Sequence, residues 1–147
     1  MEKEGTMALP NICCHPGDGA KALNRLPQLA KPRLRFNMSE EIRQLREQES
    51  WRRRTGRSSK TLVKYPDFRL VLVAMKPDSI MKEHRAEGRI SIHTLVGHLR
   101  VKLENEVVEV PAGELLALDC GIPHDVEATK ESAFLLTISW PKGAPHE

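Results

Sequence analysis

The feature of this chain that most constrains its fold is a series of short β-prone segments that fills residues 61–139. The segments are rich in Val, Ile and Leu, and Gly or Pro residues stand between them. Over residues 98–103 polar and apolar residues alternate, as in a strand with one solvated face. Short strands that recur every 8–12 residues or so, with turns between them, predict an all-β sandwich or barrel.

The predicted strands are bounded by turn signals such as Pro66-Asp67, Pro77-Asp78 and Gly97. They cover residues 61–65, 68–75, 80–85, 89–96, 98–103, 107–110, 115–119, 124–128 and 133–139. Since they follow one another without a long linker, we expect all of them to belong to a single domain.

One helix is predicted ahead of the strands, over residues 39–53. Ser39 is a suitable N-cap, because its hydroxyl can accept a hydrogen bond from the free N–H groups of the first turn. Glu40 and Glu41 follow where the helix dipole favours negative charge. Apolar side chains form one stripe, so the helix should lie on the barrel. The stripe consists of Met38, Ile42, Leu45 and Trp51.

The length of 147 residues allows one domain with an apolar core and is too short for two of ordinary size. Residues 1–37 show no sustained period and are interrupted by prolines, which predicts a flexible or disordered tail. Residues 38–57 form the predicted helix and linker, residues 58–141 the barrel, and residues 142–147 a C-terminal tail. Met7 and Met38 could serve as alternative starts.

The sequence does not have the features expected of a membrane-spanning or a secreted protein. No apolar run approaches the roughly 20 residues that a membrane-spanning helix requires. Residues 1–10 contain no apolar stretch of the kind found in secretory signals. The three cysteines do not suggest a disulfide framework, so a cytoplasmic location is predicted.

Two local motifs could suggest other chemistry. The basic cluster WRRRTGR at residues 51–57 could indicate nucleic-acid binding, but the net charge is only +3 and aromatic residues make up 4% of the chain. We interpret the cluster as a solvated helix end and expect no nucleic-acid partner. The run Cys13-Cys14-His15 could indicate zinc, but no second Cys/His pair follows to complete four ligands.

Residues 111–126, PAGELLALDCGIPHDV, resemble the second sequence motif of the cupin superfamily. Gly113 and Gly121 match its glycines, and His124 matches its metal-binding histidine. Asp119 stands where the family has Pro, and Ala128 where it has Asn. The two glycines lie at predicted turns, where a positive φ is often needed. The resemblance covers residues 61–140 and implies a double-stranded β-helix, or jelly roll, with a short N-terminal helix before it.

The first cupin motif is only partly present. His84 stands at its first histidine and Gly97 at its closing glycine. Asp78 replaces its first glycine, Ala86 its second histidine, and Ile90 its glutamate. Four residues hold the metal in the family, and the resemblance therefore implies that only His84 and His124 of that set remain here.

His93 is a third candidate metal ligand. If Ile90 faces inward as the family glutamate does, then Ile92 and Thr94 also face inward, and His93 faces outward. A β-bulge would reverse this, and bulges do occur next to active sites. The predicted metal ligands are therefore His84 and His124, with His93 as the candidate that depends on such a bulge.

Two functions stay open at this stage. The first is a small barrel that binds a small molecule, a weakly held divalent metal ion, or both, in its cavity. The alternative is a metal-dependent enzyme of the dioxygenase or isomerase type, with Fe(II), Mn(II), Ni(II) or Zn(II) at the histidines. The resemblance also implies a homodimer, formed by sheet packing or by exchange of a strand such as residues 61–65.

Overall fold

The computed structural model describes residues 29–52, 56–84 and 87–141. Within these ranges the helices are α1 (Met38–Arg46) and α2 (Glu49–Arg52). The strands that follow are β1 (Arg57–Tyr65), β2 (Phe68–Met75), β3 (Ile80–His84), β4 (Arg89–Val96), β5 (His98–Lys102), β6 (Val107–Pro111), β7 (Leu115–Leu118), β8 (His124–Ala128) and β9 (Ser132–Ser139). Each of these strands overlaps a predicted one, and the chain is all-β apart from the short helical region, as expected.

The strands form two sheets, and every pairing between neighbouring strands is antiparallel. The first sheet has the order β1-β2-β9-β4-β7, and the second has the order β3-β8-β5-β6. Apart from the β1–β2 and β5–β6 hairpins, successive strands lie in different sheets, which is the arrangement of a jelly roll. The predicted double-sheet fold is confirmed.

The main core lies between the two sheets and takes alternate residues from the strands of both. Its buried members are Val73, Met75, Ile90, Ile92, Leu99, Val101, Val110, Leu118, Val126, Ala128 and Phe134. A second cluster lies on the outer face of the first sheet, where Leu72, Ala74 and Ala133 meet Ile42 and Leu45 of α1. Helix α1 therefore covers the back of this sheet through the predicted apolar stripe.

The predicted start and length of the helix were wrong. The N-cap is Asn37, whose side-chain Oδ1 accepts a hydrogen bond from the Glu40 N–H at 3.1 Å. Asn and Ser are comparable N-caps, and the first free N–H groups lie within reach of Asn37. The helix also ends at Arg46, because the Glu47 N–H donates a hydrogen bond to the Gln44 carbonyl, three residues back. A second short helix follows.

The predicted tail over residues 1–37 and the predicted tail over residues 142–147 lie largely outside the described residues. Residues 29–37 are described, and they lie against the first sheet. The Lys64 N–H donates to the Leu29 carbonyl at 2.8 Å, and the Tyr65 hydroxyl donates to the Lys31 carbonyl. Leu34 and Phe36 pack against the outer cluster, so burial of apolar side chains holds this part of the chain on the barrel.

Gly97 marks the corner where the chain passes from β4 in the first sheet to β5 in the second. Its φ is +88°, and a Cβ at this position would lie 2.3 Å from the Glu131 carbonyl oxygen. Only glycine combines this backbone angle with such a close approach of another strand. Among the described helices, none is long and apolar enough to cross a membrane.

Candidate functional site

The candidate site lies at one end of the space between the sheets, which we call the His124 end. Strand β7 ends at Leu118 in the first sheet, and β8 begins at His124 in the second sheet. The short loop between them brings both residues to the same end of the barrel. Gly121 in this loop has a φ of +79°, so the predicted need for a positive φ is confirmed there.

His124 is buried, with 9% of its surface exposed, and it shares the inner face of β8 with Val126 and Ala128. Its Nδ1 lies 2.9 Å from the carbonyl oxygen of Ile122. A carbonyl oxygen can only accept a hydrogen bond, so Nδ1 must carry the proton. In the neutral ring Nε2 then carries the lone pair. The loop geometry therefore selects the tautomer in which Nε2 can act as a ligand.

His84 is the last residue of β3 and lies directly opposite His124 in the antiparallel β3–β8 pair. The register between these strands shifts between Met81 and His84. Residues that oppose one another in an antiparallel pair have Cα atoms about 4.5–5.5 Å apart. The structure therefore brings two of the predicted ligand positions together.

His93 is not brought to these two positions. The residues on either side of it, Ile92 and Thr94, are buried in the barrel, so His93 lies on the outer face of β4. A bulge is present, as the register between β4 and β9 shifts after His93, between the Ala133–Val96 and Phe134–Thr94 pairs. Because it comes after His93, it leaves this residue on the outer face.

The first sheet contributes apolar side chains to the His124 end. Ile90, at the position of the family glutamate, is 5% exposed and packs in the main core. It is paired with Leu118 on one side and with Ile138 on the other. Ile122, whose carbonyl binds His124, packs against the same core. The position that carries a carboxylate in the family is therefore filled by hydrocarbon.

Arg69 comes next to Ile138 in the row of paired positions Leu118, Ile90 and Ile138 on the first sheet. It was not among the site residues predicted from the sequence. It pairs with Ile138 of β9 in a continuous register, and its neighbours in the same phase of β2, Val71 and Val73, face the main core. Arg69 thus lies on the inner face. A charged residue in the inward phase of the apolar strand FRLVLVAM was the signal that could have found it.

The guanidinium of Arg69 stacks on an aromatic ring. Its Cζ lies 5.1 Å from the ring centroid of Trp140, which is 9% exposed and follows the end of β9. The backbone N–H of Trp140 donates to the Asp67 carbonyl at 3.1 Å, which fixes the start of the C-terminal segment beside the β1–β2 turn. The cation–π contact therefore holds Arg69 at a defined position at this end of the barrel.

The loop before His124 is polar and exposed. The carboxylate of Asp119 accepts from the Cys120 N–H at 2.7 Å and pairs with Arg89 at 3.0 Å. The Cys120 N–H, with a smaller contribution from Arg89, lowers the pKa of Asp119. The thiol of Cys120 is free and exposed. Asp119 therefore serves to shape the loop.

A further histidine, His98, lies on the outer face of the second sheet. Its Nε2 is 2.6 Å from Glu109, and Arg100 contacts the other oxygen of the same carboxylate at 3.1 Å. The hydrogen bond from His98, followed by the charge of Arg100, lowers the pKa of Glu109. His98 thus belongs to a surface ion-pair network, as its place on the polar phase of β5 suggested.

A metal site with three convergent protein ligands is not formed within the described residues, where no three His, Cys, Asp or Glu side chains come together. Of the predicted ligand positions, His84 and His124 are opposed in the β3–β8 register. Two imidazole positions are fewer than the three ligands usual for catalytic transition-metal sites.

Comparisons with known proteins bear on the fold. No protein-family profile and no curated protein matches the chain. A cupin 2 conserved barrel domain protein from Leptotrichia buccalis is 26% identical, with a TM-score of 0.60, over 71% of this chain and 47% of its own. A conserved protein of unknown function from Streptococcus pyogenes is 22% identical, with a TM-score of 0.57, over 62% of this chain and 80% of its own.

A cupin-2 domain containing protein from Shewanella frigidimarina is similar over a comparable range. It is 14% identical, with a TM-score of 0.57, over 71% of this chain and 93% of its own. These proteins share the two-sheet jelly roll that the strand order shows here. The architecture and these likenesses together show that this chain is a small cupin-like domain.

Proposed function

We propose that this protein binds a small molecule and holds a divalent transition-metal ion weakly at the His124 end of the barrel, through His84 and His124. The observation that carries the proposal is the state of His124. Its ring is buried, Nδ1 is committed to the Ile122 carbonyl, and Nε2 is left as the lone-pair nitrogen. A second histidine lies opposite it in the strand register.

The proposed ligands suit the metals that imidazole prefers. Metal-binding histidines commonly donate the other ring N–H to a carbonyl or carboxylate, which fixes the ring and its tautomer, as Ile122 does for His124. Neutral imidazole suits Zn(II), Ni(II) and Fe(II), with Mn(II) as the weakest binder in the usual order. When bound, such an ion would supply a Lewis acid that can ligate an oxygen or nitrogen atom of a small molecule.

The choice of a binding function over a dioxygenase or isomerase rests on the third ligand position. Ile90 stands where the family glutamate would be and is buried in the core. His93 lies on the other face of the sheet. Catalytic sites of these metals normally use three protein ligands, and the residues described at the His124 end supply fewer.

Metal content and titration test this proposal. Protein purified without an affinity tag is analysed for bound metal and then titrated with Ni(II). Wild type should bind one equivalent weakly, and the double variant His84→Ala/His124→Ala should bind none. The matched control is His93→Ala, which removes one imidazole from the outer face and should leave the titration unchanged. Equal binding by the double variant, or loss in His93→Ala alone, contradicts the proposal.

We also propose that the protein is a homodimer. Strand β1 is an edge strand of the first sheet, and edge strands offer unpaired backbone groups to a partner. The Lys64 N–H of this edge already donates to the Leu29 carbonyl of the same chain. A second copy of the chain would therefore pair with the remaining part of β1, toward Arg57. Sedimentation equilibrium tests this, since a dimer mass is expected and a monomer mass at micromolar concentration contradicts it.

A further inference from the structure

Residues 31–36 form a segment whose exposed side the fold does not explain. The chain is anchored on either side of it. The Leu29 carbonyl accepts a hydrogen bond from the Lys64 N–H at 2.8 Å, and the Asn37 side chain caps helix α1. The segment is thus held over the outer face of the first sheet with both ends fixed, so a partner would meet a surface that is already in place.

Burial alternates along this segment. Leu34 and Phe36 are half-buried against the outer cluster, whereas Lys31, Arg33 and Arg35 are exposed. Such alternation is typical of an extended chain that lies on a surface, where side chains on one side recur about every 7 Å. The segment therefore presents its three cations, which we call the basic row, at this interval toward solvent.

The basic row has no acidic partner within residues 29–52, 56–84 and 87–141, where the ion pairs involve other cations. The acidic residues nearest to it in the sequence, Glu40 and Glu41, are already paired with Arg43 and Lys60. The positive charge of the row is therefore not neutralised in this part of the chain. It is complementary to an acidic partner.

The backbone of the same segment is also available for hydrogen bonding. In the part of the chain that the structure describes, the N–H and C=O groups of residues 33–36 make no hydrogen bond to another backbone group. An extended peptide can add to such a segment through main-chain hydrogen bonds, while its alternate side chains determine specificity. Because an extended peptide has the same side-chain interval, carboxylates at every second position would face the basic row together.

We propose that residues 31–36 bind an extended acidic peptide of another protein, in which carboxylates at alternate positions pair with Lys31, Arg33 and Arg35. The peptide backbone bonds to the free groups of residues 33–36. The two arginines contribute most to the choice of ligand, because a guanidinium can hold a carboxylate through two parallel hydrogen bonds. This surface lies outside the barrel, so the inference goes beyond the proposed function and does not depend on the metal site or on the homodimer.

The test compares two peptides that have the same composition and different spacing. The alternating probe is acetyl-Thr-Glu-Thr-Glu-Thr-Glu-Thr-amide, and the spaced probe is acetyl-Glu-Thr-Thr-Glu-Thr-Thr-Glu-amide. Each is titrated into the full chain and followed by NMR. The alternating probe should shift the backbone amides of residues 33–36 and the Nε–H signals of Arg33 and Arg35. The spaced probe should bind roughly fivefold more weakly, because only one of its carboxylates can face the basic row at a time.

Matched substitutions separate the basic row from the overall charge. Arg33→Gln/Arg35→Gln should weaken binding of the alternating probe by roughly fivefold or more. Lys82→Gln/Lys130→Gln removes the same charge from two exposed residues of other elements and should leave binding within about twofold, because distant exposed charges are screened. If the double glutamine variant fails to fold, Arg33→Lys/Arg35→Lys keeps the charge and loses the fork, and a measurable loss of binding is expected there as well.

Several results would overturn this inference. Equal binding of the two probes, or unchanged binding in Arg33→Gln/Arg35→Gln, contradicts the pairing with the basic row. Shifts confined to the amides of β1 would place the peptide at the sheet edge instead. Tighter binding of an oligothymidylate of the same net charge would favour a nucleic-acid backbone as the ligand. Absence of any shift with the alternating probe also counts against the site, while the Ni(II) titration and the mass measurement test the proposed function separately.

Discussion

Replacing Gly97 by Ala should destabilise the fold through two separable effects. The φ of +88° places an L-residue in the left-handed region, which costs about 1–2 kcal/mol. The new Cβ would also lie 2.3 Å from the Glu131 carbonyl oxygen and 2.3 Å from the Ser132 hydroxyl oxygen. That hydroxyl accepts from the His98 N–H at 2.9 Å, so it is not free to rotate away. Relieving such an overpacked contact costs about 1–3 kcal/mol more.

The matched control is Gly113→Ala. Gly113 has a φ of +91°, but no atom lies within 4 Å of an added Cβ, so only the conformational cost applies. Urea denaturation followed by circular dichroism measures both variants against wild type. With a slope of about 2 kcal/mol per molar urea, Gly97→Ala should lower the midpoint by roughly 1–2.5 M and Gly113→Ala by roughly 0.5–1 M. Equal midpoints for the two variants would refute the close approach at the sheet corner.

Three further predictions concern the site, the surface and the helix start. Ile90→Glu should raise Ni(II) affinity by roughly tenfold or more in the titration, because it adds a third ligand. It should also lower the stability of the metal-free protein by about 2–5 kcal/mol, because it buries a carboxylate. Unchanged affinity would argue against Ile90 lying beside the ion. The Glu109 carboxyl should titrate below its ordinary pKa of 4.5 by NMR, since His98 and Arg100 favour its charged form. Its contribution to stability is present above that pKa and is lost as the pH falls through the lowered value, so Glu109→Gln should flatten the stability profile in acid. Asn37→Ala should cost about 1 kcal/mol in urea denaturation whereas Ser39→Ala should cost little, and the reverse order would restore Ser39 as the cap.

The strand positions could be predicted because the signals are local. Alternation of polar and apolar residues, with Gly and Pro between segments, located β2, β4 and β8 within a residue or two. The same alternation gives the outward placement of His93 once Ile90 is taken to face inward. Periodicity within one strand suffices for such statements, because side chains alternate between faces without regard to the neighbouring strand.

Features that depend on pairing between distant segments could not be predicted. The register that sets His84 opposite His124 includes an irregularity after Met81. No local sequence pattern predicts this irregularity. Arg69 could be recognised as part of the His124 end only once its row with Ile138 was known. The helix start was misplaced because Asn37 and Ser39 are both suitable caps two residues apart.

The state of the histidine rings tests the central claim most directly. Long-range proton–nitrogen NMR distinguishes protonated from lone-pair nitrogens in each imidazole and can be repeated with Zn(II). The account predicts that His124 carries its proton on Nδ1, and that Zn(II) shifts the Nε2 signal of His124 together with a ring nitrogen of His84, leaving His93 and His98 unchanged. An Nε2–H tautomer of His124, or a Zn(II) response confined to His93 or His98, would contradict it.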